Sequence, residues 1–284
     1  MGTAIILNLD SVAAHKELDL NQPLYHIMRF KYLKQLVENK QFRMTKIISW
    51  ADTFEYPIRA IVDDRKKHIA KNLFGYSMTQ EYDVESLWKL HGMNEQQMFD
   101  NETVCIKINP ILLSKLIFSS FINQNKKLTG EFDYWVCNIF IGPIKYLDFK
   151  TNEMHKIFDY KDKILYPDYM YSAFLKRKNF EYEKEVRLVL YNVAFDLSDS
   201  NHILINLENL DFIEEVIINP FISSPNVEFL EEKIKQIFNK DLKVTKSLLF
   251  QNIETEVKLV NDDTKYWGQA KEAQVIVSKF KNPI

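Results

Sequence analysis

The sequence predicts an α+β fold: a bent or split, mainly antiparallel sheet with flanking helices. Three observations predict it. Short runs alternate apolar and polar residues at the period of a strand, most clearly Phe180–Leu190, which reads Phe-Glu-Tyr-Glu-Lys-Glu-Val-Arg-Leu-Val-Leu. Between such runs lie segments with apolar residues at helical spacing, such as Tyr32, Leu33, Leu36 and Val37, or Val227, Leu230, Ile234, Ile237 and Phe238. The chain also holds only 6 Gly and 8 Pro in 284 residues, so its loops should be few and well defined.

In chain order, Ala4–Leu9 reads as a short strand ahead of a polar connector. Pro23–Met28 is a strand that starts after a proline, and the helix around Tyr32–Val37 follows it. Phe42–Thr45 is the next strand, and Ser49–Glu55 a loop. The charged stretch 56–73 is read as a helical connection with a solvated face. Phe74–Thr79 is a strand with hydroxyls at Ser77 and Thr79, and Asp83–His91 a helix with Asp83 as N-cap. Thr103–Ile108 is a strand, and Pro110 suits the first turn of the helix Ile111–Phe121. Tyr134–Phe140 and Ile144–Phe149 read as a hairpin turning at Gly142-Pro143. Residues 151–170 are polar with scattered aromatics, and Tyr171–Lys176 reads as a helix. Strands at His202–Asn206 and Glu215–Ile218, the helix Val227–Phe238 and a strand at Leu242–Ser247 complete the core. The domain reading is an N-terminal strand and connector over 1–21, one α+β domain over 22–250 and an extension over 251–284.

Composition narrows the function classes. At 46% hydrophobic and 27% charged residues the chain is globular rather than disordered. A net charge of −2 gives no overall attraction to nucleic acid or to an anionic membrane, so such binding would need a local patch. Cys105 and Cys137 lie in apolar runs and read as buried thiols. No run has transmembrane length, and Ala4–Leu9 is too short for a secretory signal core, so the expected setting is soluble and cytoplasmic.

The alternating run carries the chemistry. In a strand, Glu181, Glu183, Glu185 and Arg187 share one face, while Tyr182, Val186, Leu188 and Leu190 face a core. Three same-face glutamates repel one another. They are either a wet sheet face with partners on neighbouring strands, or carboxylates put to use. There is no Gly-rich phosphate loop, no HExxH, no paired CxxC and no nucleophile elbow. The six histidines are scattered, which disfavours a metal site.

Several strings in order carry a resemblance: Leu24-Tyr25-His26, Trp50-x-Asp52-x-Phe54-Glu55, Ser86-Leu87-Trp88, Gly142-x-Ile144-x-Tyr146, and Lys176-x-x-x-Phe180-x-Tyr182-Glu183-x-Glu185-x-Arg187. Together they resemble the bacterial family of domain of unknown function 2971 (DUF2971), whose name supplies no activity. More weakly, the Tyr-His strand followed by a helix is similar to the opening of ADP-ribosyltransferase folds, and Glu183-x-Glu185 falls where their later glutamate motif is expected. That likeness implies a cleft between the His26 strand and the glutamate strand, with NAD as substrate. Glu185 would be the catalytic glutamate, with Glu183 the lesser choice for that role. Alternatively, Glu183 orients the acceptor. The implied NAD-contacting set is His26, Tyr25, Tyr76, Ser77, Trp50, Lys176 and Arg187. One departure is that Ile27-Met28 replaces the hydroxyl or glycine often found after the histidine.

Each residue has a plainer reading beside this one. His26 can be a half-buried strand histidine bonded to backbone, Trp50 a core residue, and Lys176 a salt-bridge partner of Glu181 or Glu183. The leading expectation is an NAD-consuming ADP-ribosyltransferase-like enzyme or NAD glycohydrolase, as a toxin or phage-defence effector with a protein or nucleic-acid acceptor. Two alternatives stay open. One is a non-enzymatic interaction module of the same fold; the other is a nucleic-acid-acting enzyme whose glutamates hold a divalent metal.

Overall fold

The computed structural model describes residues 12–15, 17–50, 72–92, 102–129, 137–148, 173–192, 200–222, 224–238 and 241–249. Its strands are β1 (Val12–Ala14), β2 (Leu24–Arg29), β3 (Gln41–Lys46), β4 (Leu73–Thr79), β5 (Thr103–Ile108), β6 (Cys137–Pro143), β7 (Lys145–Leu147), β8 (Leu175–Arg177), β9 (Glu185–Asn192), β10 (His202–Asn206), β11 (Ile213–Ile218) and β12 (Lys243–Lys246). Its helices are α1 (Phe30–Asn39), α2 (Glu85–Gly92), α3 (Pro110–Thr129) and α4 (Ser224–Phe238). Short 3₁₀ turns cover Ile47–Ser49 and Lys178–Glu183. The chain divides into two compact units, Met1–Ser247 and Leu248–Ile284, and the elements named here belong to the first.

The helices form where an apolar stripe asks for one. In α1 the buried residues Phe30, Leu33, Leu36 and Val37 recur at three- and four-residue steps. The helix stops at Lys40, which sits in the left-handed region at φ 49°, while its carbonyl accepts a hydrogen bond from the Leu207 N–H. α3 begins at Pro110, whose missing N–H costs nothing there, and the Asn109 side chain accepts a hydrogen bond from the Leu112 N–H.

Ten strands join one mixed but mostly antiparallel sheet. Its main path runs β1-β6-β9-β4-β2-β5-β11-β12, with β3 paired to β4 and β10 to β3. β4 pairs with β9 from Leu73/Tyr191 to Thr79/Glu185, and β2 pairs with β5 from Leu24/Ile108 to Arg29/Thr103. Between β2 and β4 there is one register position, Tyr25 opposite Thr79. The sheet is therefore two well-paired halves joined at a point. The larger core gathers Phe74, Ile106, Ile117, Leu188, Val216 and Ile234, drawn from sheet and helices alike. A smaller one lies among Ile47, Leu73, Ala173 and Val189, with Trp50 and Phe174 packed on it.

Five expectations need correction. Phe180–Leu190 is not one strand: Lys178–Glu183 is a 3₁₀ turn, and Lys184 at φ 44° reverses the backbone before β9 begins. Tyr182, assigned to the core face, is 43% exposed. The Gly142-Pro143 hairpin does not form, because β6 pairs with β9 and β7 runs parallel to β8. Within Tyr171–Lys176 the chain enters a strand at Leu175 rather than a helix, so that it can pair with β7. Finally, α2 starts at Glu85, and the Asp83 carboxylate accepts a hydrogen bond from the Ser247 hydroxyl at 2.6 Å instead of capping it. The expected strand Ala4–Leu9, the stretch 51–71 with Asp52 and Glu55, residues 151–170 and the extension 251–284 lie outside the described residues.

Gly75 on β4 makes room for Trp50. A Cβ there would sit 2.8 Å from Trp50 Cζ2 and 3.0 Å from Ile47 Cγ1, inside ordinary contact distance. We expect Gly75→Ala to lower stability by about 1–3 kcal/mol through overpacking. A urea denaturation midpoint unchanged from wild type would contradict this.

Candidate active site

The site begins with alternation on β9. Val186, Leu188 and Leu190 turn into the larger core. Glu185, Arg187 and Val189 therefore point to the opposite face, which Ala173 and the Ile47–Trp50 region cover. The expected wet face is absent here: β9 is buried on both sides, with Arg187 0% and Glu185 3% exposed. Burying charge is costly unless the charge is paired and hydrogen-bonded. The pairing is extensive. Arg187 donates through Nε to Glu185 Oε1 at 2.7 Å, through Nη2 to Glu185 Oε2 at 3.1 Å and through Nη1 to the Ala173 carbonyl at 2.7 Å. The Trp50 ring lies over the guanidinium, 4.5 Å from Cζ to the ring centre.

Lys176, from β8, enters the same cluster. Its Nζ lies 2.6 Å from Glu183 Oε2 and 3.1 Å from Glu185 Oε2. Ser77, from β4, donates its hydroxyl to Glu185 Oε1 at 2.7 Å, and the Glu185 N–H donates to the Tyr146 phenol oxygen at 2.8 Å. Burial pushes the Glu185 carboxyl up. The Arg187 charge and its hydrogen bonds, then Lys176 and Ser77, outweigh burial and hold it at about 2. Glu185 is therefore ionised throughout the neutral range.

His26 reaches this cluster through the split in the sheet. Its Nδ1 is 2.6 Å from the Ser77 carbonyl oxygen. A carbonyl only accepts, so Nδ1 carries the proton. Burial, then the nearby His91, lower its pKa to about 4 against the opposing pull of the Ser77 bond. Neutral His26 thus keeps Nε2 as an acceptor. Its ring stacks on Tyr76 at 4.4 Å, and Tyr76 on Phe42 at 4.5 Å. Ser77 is the link: its carbonyl holds His26 and its hydroxyl holds Glu185.

The predicted residues separate accordingly. The expected cleft directly between the His26 and glutamate strands is filled by β4, because β4 is the strand that pairs with β9. Even so, Tyr25, His26, Ser77, Glu183 and Glu185 line one hollow of about 40 Å³, with Thr79, Leu87 and His91 among its other walls. Tyr76 is turned to the core and backs His26 instead of facing this space. Trp50 covers Arg187, and Lys176, at 6% exposure, is a buried partner of both glutamates rather than a surface bridge. Sequence reasoning missed His91. The available signal was its place four residues after Leu87 on α2, which puts both side chains on one face. Among the described residues, no group of three or more His, Cys, Asp or Glu side chains is placed to hold a metal ion. Nor is any described helix long and apolar enough to cross a membrane.

No family model matches the chain, so the DUF2971 resemblance has no match behind it, and no curated protein matches. Among solved structures the chain is similar to Thermus sp. 2.9 DarT in complex with NAD+, at 11% identity and TM-score 0.36, covering 80% of this chain and 95% of that one. It is also similar to the same protein in complex with ADP-ribosylated ssDNA, at 11% identity and TM-score 0.35 over 80% and 95% of the two chains. A third structure, in complex with carba-NAD+, matches at 10% identity and TM-score 0.34 over 81% and 96%.

Two outcomes are expected from the cluster. Arg187→Met removes the two-pronged partner of buried Glu185, leaving it Lys176 and Ser77, and should cost about 3 kcal/mol of stability by denaturant titration. Both shifted groups also make the fold acid-sensitive. His26, with its folded pKa below its unfolded value, resists protonation, so stability falls as pH drops from 6.5 to about 4. Glu185, also depressed, contributes stability above 4.5 that is lost as pH falls towards about 2. Melting temperatures across that range should decline in wild type. Glu185→Gln should flatten the lower part of the decline; an unaltered decline would contradict the assignment.

Proposed function

We propose that the protein breaks the nicotinamide–ribose bond of NAD, as an ADP-ribosyltransferase-like enzyme or an NAD glycohydrolase. One observation carries this reading: Glu185 and His26, from distant parts of the chain, wall the same small hollow. Departure of nicotinamide leaves positive charge on the ribose. A permanently ionised carboxylate beside C1′ stabilises that charge where it develops. Glu185 is held ionised by Arg187 and oriented by Ser77. Neutral His26 can accept a hydrogen bond from a ribose hydroxyl at Nε2 while Ser77 fixes its ring. A hollow of about 40 Å³ takes a hydroxyl-bearing edge of a sugar rather than a dinucleotide. The fit is to the ribose, and NAD would be a substrate. The acceptor is water, protein or nucleic acid, and the role that suits such chemistry is a toxin or phage-defence effector.

A second reading is favoured by the engagement of Glu185. Both its oxygens already accept two donors each, from Ser77, Arg187 and Lys176. In that reading the cluster is a structural ion network in a non-enzymatic interaction module. The metal-dependent alternative is disfavoured, because the cationic groups of Lys176 and Arg187 already neutralise both carboxylates. Incubating the pure protein with NAD and measuring free nicotinamide separates the first two. The enzyme reading expects release that falls at least about 10²-fold in Glu185→Gln. Equal, background-level release from both proteins would leave the module reading.

A further inference from the structure

We infer that His91 is the base that takes the proton from the hydroxyl attacking the ribose. This rests on the NAD-cleaving reading above and adds the group that activates the nucleophile.

α2 places Leu87 and His91 in the lining of the hollow, together with Glu183, Glu185 and His26. An imidazole in the same lining as the ribose-stabilising carboxylate, near enough to feel its charge, is well placed to meet the incoming oxygen. The other wall groups are occupied. Glu183 has its Oε2 taken by the Lys176 ammonium at 2.6 Å. Glu185 is enclosed by Arg187, Lys176 and Ser77, and His26, its Nδ1 bonded to backbone, has only Nε2 left, which the NAD-cleaving reading gives to a ribose hydroxyl. Among the described residues, none is hydrogen-bonded to the His91 ring. His91 as a whole residue reaches the surface although densely packed groups surround its ring, so solvent offers the captured proton a way out.

The step balances without an added reactant. The C1′–N1 bond breaks and its electron pair leaves with nicotinamide, which becomes neutral. The attacking oxygen forms a bond to C1′. Its proton passes to neutral His91 and then to water. Nothing is oxidised or reduced.

The groups that face His91 are Tyr25 and His26 from β2, Glu185 from β9, Glu183 from the 3₁₀ turn and Lys176 from β8. Burial of the ring lowers its pKa. Glu185 raises it and Lys176 lowers it, leaving it below the ordinary histidine value. The base is therefore neutral at physiological pH, and turnover should rise with pH through its ionisation and then level off.

The test is NAD hydrolysis by wild type, His91→Gln and Glu185→Gln, followed as nicotinamide release across pH, with melting curves to confirm folding. His91→Gln should lower kcat about 10²-fold, lose the acid limb of the profile and regain activity with added imidazole. NAD binding by calorimetry should persist in that variant. An active wild type with His91→Gln matching it in rate and profile overturns the inference and leaves the NAD reading standing. A His91→Gln defect that imidazole does not rescue, with the acid limb intact, likewise assigns the histidine a structural role. A wild type that releases no nicotinamide removes the NAD reading, and this inference with it.

Discussion

The ion pair between Arg187 and Glu185, sealed from water at the middle of the sheet, sets the conditions for everything around it. A guanidinium this deep is tolerated only if its donors are met, and Arg187 meets them with a carboxylate and a backbone carbonyl. Its strand neighbours must also leave room. Ser77 on β4 and Gly142 on β6 are its register partners, and both are small. A Cβ at Gly142 would meet His15 at 2.9 Å, so this glycine marks a close approach of two chain segments rather than a turn. Trp50 closes the face over the guanidinium, and the missing side chain of Gly75 lets it do so.

A second cation explains why the glutamates converge although the strand they were expected to share is broken. Lys176 comes in from β8 and draws both carboxylates to one ammonium. Glu183 reaches it from the end of a 3₁₀ turn, and Glu185 from the start of β9. Thr79 steadies the turn by donating to the Glu183 carbonyl at 2.7 Å. The two cations and two carboxylates cancel, which is the condition under which a buried polar network can stand.

The opening in the sheet is the second constraint. β2 and β4 meet at Tyr25 and Thr79 and then part, so their backbone groups need other partners. The His26 ring supplies one by taking the Ser77 carbonyl. A side chain thus replaces a ladder bond, and the space it does not fill becomes the hollow that Glu183, Glu185 and His91 share.

The sequence by itself determined the helices and most strands. Thr103–Ile108 and His202–Asn206 were legible because apolar period and flanking residues agreed, and the Pro110 start of α3 was legible from its ring chemistry. Glu183, Glu185 and His26 were also legible as unusual residues in their runs. What only the tertiary structure decided was pairing. Alternation in 180–190 fits a strand and a 3₁₀ turn followed by a strand equally well, and the difference lies in Lys184 taking a left-handed backbone between the two glutamates that Lys176 pairs. Gly142-Pro143 reads as a hairpin until β9 takes β6 for itself. The wet or dry state of the glutamate face, the turn of Tyr76 into the core and the arrival of His91 at the hollow depend on segments far away in the chain. Local period records which way a side chain points, but not what is packed there to meet it.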